Sequence, residues 1–139
     1  ITSLFWISAG ISGVFFGNLA NRYDRRLIVM GSMVASAPAF FLLPIVDGAA
    51  ALVLALLAGG FSGGAHSIII LLAQEMLPKS KGFASGAMLG FIFGTGAIGS
   101  LLIGAVSDVI GLGVTFQATS VAIAIAGLLA LLLPKNRAT

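Results

Sequence analysis

The sequence has no cysteine, one histidine, and only 8% charged residues across 139 positions. Without cysteine there are no disulfides, thiolate metal sites or cysteine nucleophiles. With one His and one Glu, no Ser/His/Asp set, paired carboxylates or metal-ligand cluster can be assembled. Neither an enzyme activity, a metal nor a cofactor is expected. The charge deficit is as informative. A soluble domain carries about 25% charged residues, so this chain in water would have almost no polar surface. What it has instead is 59% hydrophobic residues and a mean hydropathy of +1.17. Most of it is expected to be solvated by lipid.

The net charge of +3 does not point to nucleic acid. Nucleic-acid binders cluster Lys and Arg along a face, interleaved with polar and aromatic residues. Here the basic residues fall only in short gaps between apolar runs. The first residue is Ile1, and no charged segment precedes the first run as it does in a signal peptide. The chain therefore reads as an internal or C-terminal piece of something longer.

Residues 1–21, 27–46, 48–74, 82–107 and 109–134 contain no Lys, Arg, Asp or Glu. About 20 helical residues cross the roughly 30 Å hydrocarbon core of a bilayer. An open strand would leave its backbone polar groups unpaired in lipid, and the runs lack the alternating polarity of barrel strands. The expectation is an all-α membrane protein, one membrane domain over 1–139. Its five transmembrane helices are placed at approximately 1–21, 27–46, 49–76, 82–106 and 112–133. Alternate connections then put Arg22, Arg25, Arg26, Lys79, Lys81, Lys135 and Arg137 on one side, and only Asp47 and Asp108 on the other. The positive-inside rule places the first residue outside and the last in the cytoplasm of a cell membrane. An odd helix count fits a six-helix unit that lacks its first helix.

The stretch "GNLANRYD" (17–24) has a weak inverted echo in "GAVSDVIG" (104–111). Inverted repeats recur in transporters, although Gly and Asp are also ordinary at helix ends. Nineteen glycines need a reason in a helical protein, and close helix approach in a membrane is one. Gly82, Gly86, Gly90 and Gly94 recur every four residues and are expected to pack helices. His66 is the one ionisable side chain deep in a run. It is a candidate for a substrate or proton path, with Ser62 one turn away, Ser12 and Thr95. The alternative for His66 is a neutral imidazole bonding a neighbouring helix. Glu75 reads either as an interfacial carboxylate paired with a nearby cation or as a cytoplasmic gate.

The pattern Gly17-x-Leu19-Ala20-Asn21-Arg22-x-Asp24-Arg25-Arg26 resembles the loop motif of the major facilitator superfamily, roughly G-x-L-A-D-R-x-G-R-R/K. Residues 71–100, with "AQEMLPKSKG" followed by "SGAMLG", are similar to fosmidomycin-resistance-type efflux proteins of that superfamily. The resemblance implies a partial six-helix bundle, helices eight to twelve of twelve, in the C-terminal half of a transporter. It implies alternating access and proton-coupled efflux of a small drug-like or organic molecule. An uptake symporter of the same fold and a non-transporting membrane scaffold are the alternatives. The implied partners are the lipid bilayer, the missing N-terminal half, a small-molecule substrate and protons. Carried over, Gly17 permits close helix packing, and Arg22, Arg25 and Arg26 make charge contacts between bundles. Two positions depart from the pattern. Asn21 stands in place of the acid and cannot form an ion pair. Asp24 stands in place of the late glycine, so it is expected to occupy a turn position that favours Gly.

Overall fold

The computed structural model describes residues 1–133. Lys135 and Arg137, on which part of the charge asymmetry rests, lie outside the described residues. Among those described there are five α-helices and no strand: α1 (Thr2–Leu19), α2 (Arg25–Leu42), α3 (Gly48–Met76), α4 (Lys81–Ile110) and α5 (Leu112–Leu129). Each is long and apolar enough to cross a membrane. The 18 residues of α1, α2 and α5 make about 27 Å of helix, close to one hydrocarbon core. The 29 residues of α3 and 30 of α4 reach about 44 Å, enough to carry the chain through the headgroups as well.

Helix limits follow local chemistry rather than the limits of the charge-free runs. Helix α2 starts at Arg25, earlier than the apolar run, because Asp24 caps it: the Asp24 carboxylate accepts from the Arg26 amide at 3.1 Å. It ends at Leu42 rather than 46, just before Pro44, whose ring cannot continue a helix. The largest difference is at 107–113. This segment reads as a connection, yet α4 runs through Ser107 and Asp108 to Ile110. Polar side chains alone do not end a helix. Gly111, with φ of 89°, does; that conformation is open to glycine and costly for other residues. Its amide still closes on the Ser107 carbonyl at 2.9 Å, and α5 begins at the next residue. The two echo segments thus differ: Asn21 lies in a turn, whereas Asp108 lies in a helix.

The chain groups into two compact units. The first holds residues 1–68 and the C-terminal stretch from Phe116; the second holds 69–115. In the first unit the buried positions are mostly small: Val29, Ser32, Ser36 and Ala39 of α2, and Ala51, Ala55, Ala58, Gly59 and Gly63 of α3. Small side chains let helix backbones approach where lipid provides no hydrophobic drive between helices. The buried hydroxyls are satisfied within their own helix, Ser32 on the Val29 carbonyl at 3.0 Å and Ser36 on that of Met33 at 2.8 Å. Gly127 of α5 sits against Met30, Met33 and Val34 of α2. The other side of α5, including Val121, Ile125 and Leu128, is exposed. In the second unit, Gln74 donates to Ser85 at 2.7 Å, bracing the end of α3 against the start of α4 across the Pro78–Ser80 turn.

Candidate functional site

Helices α1 and α3 meet along a seam set by two glycines one turn apart. Gly59 lies against the Phe5 carbonyl and Ser8, and Gly63 against the Ala9 carbonyl and Ser12. A side chain at either position would overlap backbone atoms of α1. Farther along, Gly13 faces Ser67, and Gly64 faces the Phe16 ring. A side-chain bond also crosses between the helices: the Ser8 hydroxyl donates to the Leu56 carbonyl at 2.9 Å.

Beside this seam is a cleft of about 550 Å³, a volume typical of small-molecule sites. Phe5, Trp6, Gly10 and Val14 of α1 form one wall; Ser62, His66 and Ser67 of α3 form the other. The lining is mainly apolar and includes no Lys, Arg, Asp or Glu. His66 is half-buried and makes no hydrogen bond among the described residues, so its ring nitrogens are available to whatever enters the cleft. Ser62 donates to the Gly59 carbonyl at 3.1 Å, and its oxygen keeps an acceptor lone pair. Chemically the cleft offers an aromatic platform in Trp6 and Phe5 with a few hydrogen-bonding groups opposite.

The structure thus brings His66 and Ser62 together on one wall. Ser12 lies on the seam instead, its hydroxyl on the Ala9 carbonyl at 3.1 Å. Thr95 belongs to the other unit; it is exposed and bonds its own helix at Phe91, 2.7 Å away. Trp6, Phe5 and Ser67 were not singled out by sequence. The signal was present in the spacing of Trp6, Gly10 and Gly13, which shares one helix face.

A methyl at Gly82, Gly86, Gly90 or Gly94 would meet nothing within 4 Å. Periodicity puts these four on one stripe of α4. A methyl at Gly17 would likewise meet nothing within 4 Å, so no close helix approach rests on that residue here.

The 17–26 segment resolves into a cap and an ion pair. Asp24 has φ −63° and ψ 119°, an extended conformation open to any residue, so the glycine-favouring turn expected for it is not adopted. Its carboxylate caps α2 and also takes the Arg26 guanidinium, with Nε at 3.2 Å and Nη2 at 3.0 Å. Arg26 also donates to the Leu131 carbonyl at 3.4 Å, reaching the turn that follows α5. A cation at a helix N-terminus opposes the helix dipole, and Asp24 offsets it. Asn21 and Arg22 are exposed, Arg25 is half-buried, and Glu75 is exposed.

Residues 1–139 match the family model of the Major Facilitator Superfamily. The chain is 36% identical over 129 residues to an uncharacterized MFS-type transporter, YfnC, of Bacillus subtilis strain 168, covering 92% of this chain and 31% of that protein. It is 31% identical over 134 residues to a fosmidomycin resistance protein of Escherichia coli K12, covering 96% of this chain and 32% of that protein. The chain therefore spans about a third of the length of these relatives. No solved structure matches.

Proposed function

Because this chain belongs to the major facilitator superfamily, we propose that it forms part of a secondary active transporter, the C-terminal bundle less its first helix. In this reading its first residue lies outside the cell membrane and its last in the cytoplasm. The transporter exports a small drug-like or organic molecule by alternating access, driven by proton entry. Export is supported by the similarity to a protein named for drug resistance. The observation that carries the reading is the α1–α3 cleft. It is lined by aromatic rings, and the one histidine of the chain faces into it with uncommitted nitrogens. An uncharged apolar cleft with few polar groups suits a lipophilic solute bearing one or two hydrogen-bonding groups.

The test is transport by the full-length protein in everted vesicles, with and without an imposed pH gradient. Gradient-driven accumulation supports export. Accumulation only in right-side-out vesicles favours an uptake symporter, and none in either supports a scaffold. His66→Ala is expected to lower transport at least several-fold while His66→Gln, which keeps hydrogen bonding, retains substrate binding. Wild-type transport by a well-folded His66→Ala variant removes His66 from the site.

A further inference from the structure

Helix α3 carries two glycine doublets four residues apart, Gly59-Gly60 and Gly63-Gly64. Three of these glycines have a use in the seam with α1. Gly59 and Gly63 admit the Phe5 and Ala9 carbonyls, and Gly64 admits the Phe16 ring, a carbon of which lies 2.7 Å from where a Cβ would sit. Gly60 has no such neighbour. It is half-buried, yet a methyl added there would meet nothing within 4 Å. Gly17 of α1 is half-buried and equally idle. Glycine weakens a helix relative to alanine, so an idle glycine in a packed helix calls for a reason.

The seam repeats. Phe5 meets Gly59, Ala9 meets Gly63 and Gly13 meets Ser67, so the two helices run in the same direction and both advance four residues from one contact to the next. Such a track superimposes on itself when one helix moves by a turn. Moving α1 four residues, about 6 Å, toward the N-terminal end of α3 puts the Ala9 carbonyl on Gly59 and Gly13 on Gly63. It brings Phe16 to Gly60 and sets Gly17 on Ser67, where Gly13 is now. Both idle glycines thereby gain the use that their neighbours have. The serines obey the same rule. Ser8 lies 2.9 Å from the Leu56 carbonyl and 3.1 Å from the Phe5 carbonyl of its own helix, and its one proton serves one acceptor at a time. Ser12, a turn later, donates within its own helix, to Ala9 at 3.1 Å. After the move Ser12 takes the Leu56 carbonyl and Ser8 falls back on Phe5, so no hydrogen bond is lost.

We propose that α1 has two registers on α3, one helical turn apart, and that Gly60 is the socket kept open for Phe16 in the second. One-turn shifts of one packed element past another are a recognised form of switching. Small residues on both helices leave few side chains to climb over. Trp6 and His66 line opposite walls of the cleft beside the seam, and the shift carries one about 6 Å past the other, so it remakes that cleft. The change of register itself does not rest on what the cleft binds or on the direction of transport.

The chain has no cysteine of its own, so cysteine pairs placed in the full-length protein, its remaining cysteines replaced, read the register as disulfides. Gly13→Cys with Ser67→Cys reports the present register: a Cβ at Gly13 would lie 3.9 Å from that of Ser67, within the span of a disulfide. Gly17→Cys with Ser67→Cys reports the shifted register, and Ala9→Cys with Ser67→Cys reports a shift the other way. Mild oxidation in membrane vesicles is expected to close the first two pairs and not the third. Gly60→Ala disturbs nothing in the present register. It is expected to leave closure of the Gly13 pair unchanged and to slow closure of the Gly17 pair about ten-fold, the effect of overpacking the shifted state by one methyl. A Gly13 pair that closes alone overturns the proposal, as does a Gly17 pair that closes unslowed in Gly60→Ala. Equal closure of the Ala9 pair also overturns it, because that means unspecific sliding rather than two registers. Failure of all three pairs overturns the seam and the proposal with it.

Discussion

Gly63→Ala is the most informative single perturbation of the α1–α3 seam. Taken as a helix residue alone, Ala is favoured over Gly by about 0.8–1 kcal/mol. On the seam the added methyl would fall on the Ala9 carbonyl and the Ser12 hydroxyl. A serine can rotate away, but a backbone carbonyl cannot. The helices must part by about 1 Å, which forfeits a quarter to a half of each dispersion contact along the line. Overpacking of this kind costs about 1–3 kcal/mol, so the expected net loss is about 0–2 kcal/mol after the propensity gain. Gly60→Ala is the control: it is three residues away on the same helix, and its methyl meets nothing within 4 Å. It is expected to be neutral or slightly stabilising. Thermal unfolding of the full-length protein in detergent measures both. Gly59→Ala should behave as Gly63→Ala does, since it meets the Phe5 carbonyl one turn away. The double variant should cost less than the sum, because one separation of the helices relieves both clashes. The seam would be refuted by equal stability of Gly63→Ala and Gly60→Ala, or by full additivity of the two seam variants.

Three further outcomes are expected. Asp24→Ala should cost about 0.5–2 kcal/mol of stability through the lost cap, while Asp24→Asn, which still caps, should cost less. The Arg26 pair adds little beyond the cap, because both partners are partly exposed (26% and 18%); equal loss in the two variants, read by thermal unfolding, would shift the weight from the cap to the ion pair. Gly111→Ala should cost about 1–3 kcal/mol for backbone strain, even though the space around it is open. Gly104→Ala, equally open but inside α4, should not, and the same melting experiment compares them. Glu75→Gln should shift the balance of inward- and outward-facing states if this carboxylate acts as a gate; double electron–electron resonance distances and transport rates that both match wild type would defeat that role.

Much of the architecture was legible because it depends on local properties. A run of 20 residues without charge determines its own solvent and, in lipid, its own hydrogen bonding. Five such runs therefore read as five helices. His66 and Ser62 could be placed on one face because helical spacing alone relates residues four apart. Helix limits were harder where a charged residue lies inside a helix. Arg25 and Arg26 belong to α2 because Asp24 caps it, and Asp108 belongs to α4 because no residue before Gly111 stops that helix.

The glycines mark where local reasoning stops. Gly82 to Gly94 show the better four-residue repeat, while within the first unit the close approaches of α1 to α3 include Gly59 and Gly63. Composition shows where a backbone can be approached; it does not show which helix approaches it. That depends on the Phe5 and Ala9 carbonyls and on the Ser8 bond to Leu56, all more than forty residues away in the chain. The membrane setting and the helix count were thus written in the sequence, because burial in lipid is decided segment by segment. The seam, and the cleft that opens beside it, were decided only when two distant helices met, because close packing is a property of the pair.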